Sequence, residues 1–394
     1  MKRIYMDYAA TTPMLPEVVE AMQTYYSYKF GNPSSIHSMG QEARDAVEHA
    51  RSQVAALIAC RPEDVVFTGG GTEADNHAVK GVCLAGRGKG NHVITTAIEH
   101  HAVLNTCNYM KELGFDATVV PVDKHGMVDP DDIRKAITSK TLLVSVMHAN
   151  NEVGAIQPIE AIGSITRGAG VYFHVDAVQT AGHLPIDVDS MGIDLLSASA
   201  HKLYGPKGVG MLFVRGGTNI VPLLHGGEQE NGRGAGTENV AGIVGFGKAA
   251  EIARAEMGKE AARLLKYRDR LIDSVLGRVA DAYLNGHRTS RLPNNTNFSF
   301  DFIEGESILM YLDAEGICAS TGSACSSASS EPSHVLLALG IPVERARGSV
   351  RFTLGRWTSE EHVDKVVEAL PRIVEKLRAM SPLVKEKCGW INYL

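Results

Sequence analysis

Two side chains in this 394-residue chain stand where chemistry rather than packing explains them. Lys202 lies in "SASAHKLYGPKGVG", between an apolar run that ends at Ser199 and the breakers Gly205, Pro206 and Gly208. A lysine just past an apolar strand sits at the edge where open α/β sheets bind ligands. Desolvation there favours the free amine that attacks a carbonyl. Cys325 lies in "TGSACSSASS", among residues too small to build a core. Such a strip suits a thiol that must move between two positions.

An amine that holds an aldehyde cofactor such as pyridoxal phosphate needs helpers. "VYFHVDAVQTAG" reads as a strand ending in Asp176, a carboxylate able to keep a pyridine nitrogen protonated. An isolated strand-end Asp is as readily a turn cap. "FTGGGTEADN" is a glycine-rich turn that leads from a strand into a helix, and the backbone N–H groups there make an anion site. It matches neither a Walker motif nor a dinucleotide fingerprint. "IEHHAV" sets His100 at the start of a helix, and "MHANNEVG" ends a strand on Asn150 and Asn151, amides suited to a ring hydroxyl.

The elements that must position these residues follow from periodicity. "DVVFTGGG", "HVITTAI", "DATVVPVD", "TLLVSVMHAN", "VYFHVDAV", "DLLSASAHK" and "GVGMLFVR" read as seven strands, most of them apolar throughout, as in strands buried on both faces. Helical spacing between several of them, as over 158–167, predicts βαβ units around a mostly parallel sheet. A long helix is predicted over 238–279. Beyond it, "NTNFSFDF" and "GSVRFTLG" are strand-like, and 306–315 and 359–380 are helix-like. The expected organisation is a large domain over 16–255 and a smaller α+β domain made of 1–15 and 256–394, which carries the thiol loop at about 321–332.

Read in order, "YMDYAATTP", "GNPSSIHSMG", "GGGTEADN", "EHHAV", "NNEVGAIQPI", "HVDAVQTAG", "SASAHKLYGPKGVG", "GRGAGTEN", "GSACSSASSEPSHVL" and "GSVRFTLGR" span nearly the whole chain. In these motifs the chain resembles the cysteine desulfurases of the NifS/IscS type, in the fold-type I, class V aminotransferase group of pyridoxal 5'-phosphate enzymes. The resemblance implies a role for each matching residue. Lys202 would hold the cofactor through its amine and later move the Cα proton of L-cysteine. Asp176 would pair with the pyridinium, and His100 would stack on the ring. Asn151 and Gln179 would contact the ring oxygen. Gly71, Thr72, Ser199 and His201 would hold the phosphate. Arg351, helped by Asn32, would clamp the substrate carboxylate, a task suited to a guanidinium. Cys325, as thiolate, would take the sulfur and keep it as a persulfide. An ordinary thiol titrates at about 8.5, so His100 and the cofactor are the groups expected to favour the thiolate.

Thr237 would reach the phosphate of the other subunit, which implies a homodimer. The sulfur acceptor would be an iron–sulfur scaffold of the IscU/NifU type or another carrier. With a scaffold partner, Cys325 would transiently ligate a cluster; no resident metal is expected. In "HGGEQENGRGAGTEN" the chain departs from the family pattern at Glu228, Asn231 and Gly234, where glycine or arginine is usual. Other fold-type I relatives lack the thiol loop, so that loop separates a desulfurase from a transaminase.

Composition narrows the field. Hydrophobic residues are 44% and charged residues 21%, as in globular enzymes, and the net charge of −6 gives no footprint for nucleic acid or an anionic membrane. No apolar run reaches the roughly 20 residues of a membrane span. The N-terminus lacks the apolar core of a signal peptide. The six cysteines form no CxxC pair, which fits a reducing, cytoplasmic setting. Cys60, Cys83 and Cys107 are expected to be packing residues, and Cys318 is expected to be buried. Cys388 belongs to an apolar, aromatic tail that either docks a partner or folds back.

Overall fold

A computed structural model describes residues 3–321 and 332–382. Cys325, Cys388 and most of the thiol loop lie outside the described residues.

After a two-residue strand, β1 (Ile4–Tyr5), the large sheet is built from β2 (Val65–Thr68), β3 (His92–Thr96), β4 (Asp116–Val120), β5 (Thr141–Met147), β6 (Tyr172–Asp176), β7 (Leu195–Ser199) and β8 (Gly210–Val214). Their order is β2-β8-β7-β6-β5-β3-β4. Every pairing is parallel except the two made by β8. The seven apolar runs are these seven strands. Successive residues feed opposite layers. Val66, Val93, Leu143, Leu195 and Leu212 join one core, while Val65, Phe67, Ile94, Val144, Leu196 and Phe213 join another. Both faces of every strand but the exposed edge strand β4 are covered, so those strands carry no polar/apolar alternation.

The helices are α1 (Pro16–Gln23), α2 (Ser38–Leu57), α3 (Gly71–Ala85), α4 (His101–Glu112), α5 (Pro130–Ala136), α6 (Ile159–Ala169), α7 (Val240–Arg278), α8 (Gly305–Ala314), α9 (His334–Ala338), α10 (Val343–Arg347) and α11 (Glu360–Met380). Helix α3 packs on β7 and β8, and α2 packs along α7. The long helix α7 gives Ile243, Phe246 and Ala250 to the large-sheet core. It gives Leu264, Leu271 and Val275 to a second core.

That second core lies under an antiparallel sheet of β9 (Ala282–Leu284), β10 (Asn295–Phe300) and β12 (Ser349–Thr353), in the order β12-β10-β9. Phe298, Phe300, Val350 and Phe352 face this core with α11 residues Leu370 and Ile373. Alternation then puts Asn297 and its register partner Arg351 on the opposite face. A short strand β11 (Ile317–Cys318) pairs in parallel with β1 as a separate two-stranded sheet, and a bridge between Asp7 and Thr353 ties the N-terminus to the smaller sheet. Cys318 on β11 is half-buried, not fully buried as the sequence led us to expect.

The segment that leads to Thr237 is fixed by a charge pair. Glu230 accepts from both terminal nitrogens of Arg51 on α2, at 2.6 and 2.9 Å, and from the Phe67 amide at 2.9 Å. Both side chains are under a tenth exposed. Removing one partner of a buried pair strands the other charge. Glu230→Ala should therefore lower the unfolding free energy by about 3–5 kcal/mol, read from denaturant unfolding. A loss below about 1 kcal/mol would show that Arg51 finds water instead.

Candidate active site

The carboxyl ends of β2, β3, β5, β6 and β7 meet at one edge of the large sheet. Beyond them Gly71, His100, Asn151, Asp176 and Lys202 line a cavity of about 430 Å³. This is the size of a small-ligand site, at the edge where such sheets bind ligands. Thr72, Gln179, Ser199, His201 and Arg351 line the same cavity.

Lys202 ends a short 3-10 turn that directly follows β7. Its Nζ donates to the carbonyls of Ala9 at 2.5 Å and Ala10 at 2.8 Å. The turn is held by Thr12, whose hydroxyl donates to the His201 carbonyl at 2.9 Å, and by His183, whose ring meets the Lys202 carbonyl at 2.9 Å. Gln179 also donates to the Ala9 carbonyl, at 3.1 Å.

Asp176 ends β6 and is 5% exposed. Burial pushes its carboxyl up, opposed by the Val178 N–H and by the positive charge of Lys202. Two more buried carboxyls lie close enough to act on it. Burial and then the Asp176 charge push Asp75 well up, and burial pushes Glu99 up to about 8. Burial holds these two acids toward their neutral form, so of the three Asp176 would be the carboxyl to pair with a cationic ring nitrogen.

His100 is the N-cap of α4 and its Nδ1 accepts from the Ala102 N–H at 3.1 Å. That leaves Nε2 to carry the proton. Burial lowers its affinity for a second one, and Lys202 lowers it further. It therefore presents a neutral ring.

At the far side, α3 starts at Gly71 after Gly70 with φ 154°. Its first-turn N–H groups have no intrahelical partner. A Cβ on Gly71 would lie 2.7 Å from a Val178 methyl, so glycine alone keeps this approach open. With Thr72, Ser199 and His201 alongside, the donor set fits a phosphate. Amine, buried acid, neutral imidazole and anion cradle together fit pyridoxal phosphate.

Arg351 is 2% exposed. It donates to the Asn151 carbonyl at 2.9 Å and to Asp7 at 2.8 Å. Its Nε is buried and has no partner among the described residues. An orphan guanidinium donor at a cavity wall is a place for a carboxylate.

Two expected residues stand apart. Asn32 is exposed, accepts from the Ser34 N–H at 2.9 Å, and does not line the cavity. Thr237 lines a neighbouring cavity with Gly69, Glu73 and Gly208. Sequence reasoning missed Asp7, Asp75 and the Ala9–Ala10 carbonyls. The motifs "YMDYAATTP" and "GGGTEADN" contained them, but no local spacing links them to Lys202 or Arg351.

His148, whose backbone N–H donates to the Asp176 carbonyl, is held neutral by burial, down to about 4 from 6.5. Its folded pKa lies below its unfolded one, so the unfolded chain takes up the proton first. Stability is lost as pH falls from about 6.5 toward 4. Between pH 7 and 5 the parent chain should lose about 2 kcal/mol more than His148→Gln in urea unfolding. Equal losses would contradict a neutral buried ring.

Residues 4–366 match the aminotransferase class-V family model. The chain is 56% identical to a cysteine desulfurase IscS of Dictyoglomus turgidum over 98% of both chains. It is 54% identical to one of Methanosarcina thermophila, over 98% of this chain and 95% of that one. Among solved structures, a NifS-like protein superposes with a TM-score of 0.90 at 39% identity, covering 95% of this chain and all of that one. SspA in complex with cysteine gives 0.80 at 35%, covering 90% and 100%. The cofactor-shaped cleft and these likenesses agree, and the chain belongs to the class-V aminotransferase family.

Proposed function

We propose that this chain is a pyridoxal-phosphate-dependent cysteine desulfurase that converts L-cysteine to L-alanine and keeps the sulfur as a persulfide on Cys325. The observation that carries the reading is the placement of Lys202 and Arg351 on one cavity, with the flanks of the Cys325 segment anchored beside them. On one flank, Ser320 and Arg351 exchange backbone hydrogen bonds of 3.2 and 2.6 Å. On the other, the Ser333 hydroxyl donates to Glu152 at 2.5 Å, next to Asn151. His334 contacts the Glu99 carbonyl at 3.0 Å, next to His100.

Lys202, Asp176, His100, Gln179, Asn151, Gly71, Thr72, Ser199 and His201 would hold the cofactor. When bound, pyridoxal phosphate supplies the electron sink that lets the Cα–H bond break. Arg351 holds the substrate carboxylate, with Asn32 as its helper only if the 31–36 segment moves inward. Lys202 takes the Cα proton. The Cys325 thiolate attacks the substrate sulfur, the S–S bond forms, and the C–S bond breaks with its electron pair going to carbon. Protonation of that carbon and return of a proton to Cα by Lys202 complete alanine. A thiol reductant or an acceptor protein then removes the outer sulfur.

In this reading residues 16–255 form the cofactor unit, and residues 1–15 with 256–394 bring Arg351 and the thiol. The enzyme works as a homodimer in which Thr237 reaches the partner's phosphate. Tyr26, Tyr28, Phe30 and Ile36 support this, because they are 65–94% exposed. Pro33 and Ser34 among them line one groove with Glu228–Asn231, beside the Thr237 segment. The acceptor is an iron–sulfur scaffold of the IscU/NifU type or a comparable carrier, and the setting is cytoplasmic. Among the described residues no helix is long and apolar enough to cross a membrane.

Given L-cysteine and a reductant, the purified protein should release sulfide and alanine. Cys325→Ala should keep the cofactor's colour and lose sulfide release; surviving turnover would sink the thiol's role. Arg351→Ala removes a charge-assisted contact worth about 1.5–3 kcal/mol, so the KM for cysteine should rise about 10- to 100-fold. An unchanged KM would move the carboxylate elsewhere.

A further inference from the structure

Tyr204 is two residues past Lys202, and the chemistry above gives it nothing to do. It is 5% exposed and left-handed, with φ 65°, a conformation that a tyrosine adopts only when its surroundings impose it. Its amide donates to the Thr12 hydroxyl at 2.9 Å, the same hydroxyl that donates to the His201 carbonyl. The ring meets Trp357 edge-on with centroids 5.5 Å apart. The phenol O–H donates to Glu260 on α7 at 2.8 Å and accepts from the Arg356 N–H at 2.7 Å.

Arg356 lies just beyond β12, the strand that carries Arg351. The turn after β12 is fixed independently. Arg263 on α7 donates to the carbonyls of Gly355, Arg356 and Thr358 at 3.2, 3.0 and 2.6 Å. A Cβ on Gly355 would lie 2.2 Å from the Tyr8 ring, so the turn sits flush against its neighbour. One phenol therefore joins the Lys202 turn, the long helix and the end of the Arg351 strand.

A second tie runs through the N-terminal strip, where Ala9 bonds Thr353 and Thr12 bonds the Lys202 turn, but the direct contacts of Lys202 and Arg351 with that strip use groups that the reaction itself employs. The Lys202 amine gives up the Ala9 and Ala10 carbonyls when it holds a cofactor. Arg351 divides its guanidinium donors between Asp7 and an incoming carboxylate. The Tyr204 hydroxyl touches no reacting atom, so its two hydrogen bonds persist through turnover. Burial pushes this phenol well above the usual tyrosine range, which keeps the proton that it donates to Glu260.

We propose that Tyr204 is a positioning residue that sets the span between Lys202 and Arg351, and so makes the site select amines that also carry a carboxylate. This rests on the desulfurase reading, in which one substrate bridges the two side chains. A ligand that reaches Lys202 but has no carboxylate does not feel the span.

The test compares L-cysteine with cysteamine, its analogue without the carboxylate, on the cofactor-loaded Tyr204→Phe enzyme. The KM for cysteine should rise about ten-fold with kcat within about two-fold, from the loss of two hydrogen bonds. Cysteamine affinity, followed by the cofactor absorbance, should stay unchanged. Glu260→Gln keeps an acceptor and should behave like the parent. Glu260→Ala should move cysteine alone by a smaller factor, and it carries the same comparison should Tyr204→Phe not fold. The proposal is overturned if cysteine and cysteamine shift together or if neither shifts. If the parent enzyme's absorbance does not respond to cysteine, the desulfurase reading itself fails.

Discussion

One short strip of backbone near the N-terminus holds the two charges on which the site depends. Asp7 pairs with Arg351, and the carbonyls of Ala9 and Ala10 take the Lys202 ammonium. A buried cation without such partners costs several kcal/mol. The strip is itself pinned from both sides. The Ala9 N–H donates to Thr353 on the Arg351 strand at 2.9 Å, and Thr12 is bonded to the Lys202 turn. The N-terminus thus works as a splice between the two cores. Ligands that replace these contacts find both charges already aimed.

The acids beneath the cavity follow from the same economy of burial. Burial raises the Asp176 carboxyl, so a positive charge facing it favours its ionised form, and His100 is neutral. The balance is left to Lys202 and to whatever cation sits above Asp176. Asp75 and Glu99 each keep one buried oxygen with no hydrogen-bond partner among the described residues. They add negative charge only at a large desolvation cost, so burial favours their neutral form. His174 is tied to Ser145 and Ser197 by hydrogen bonds of 2.8 and 2.9 Å and is likewise kept neutral by burial, down to about 3. A polar floor that carries little net charge leaves Asp176 as the group that responds to a ring nitrogen.

Much of the large sheet was legible in the sequence, because strands buried on both faces must be apolar throughout and helices between them must restore a period of 3.6. The alternation of Val350, Arg351 and Phe352 likewise puts Arg351 on the face opposite its apolar neighbours. What remained hidden was made of long-range pairs. Asp7 meets Arg351 across almost the whole chain, and two-residue strands such as β1 and β11 leave no periodic trace. Tyr204 carries no local signal because its partners, Glu260 and Arg356, come from another part of the chain. Asn32 and Thr237 carry motif signals, yet the single chain does not bring them to the cavity.

In the proposed reaction the sulfur of cysteine moves to Cys325. The direct measurement is a single turnover with L-cysteine and no reductant, followed by mass analysis of the peptides. One additional sulfur on the peptide that contains Cys325, with one alanine formed per site, is the predicted result. Alanine formed with that peptide unmodified, or the sulfur found on the Cys318 peptide, would contradict it.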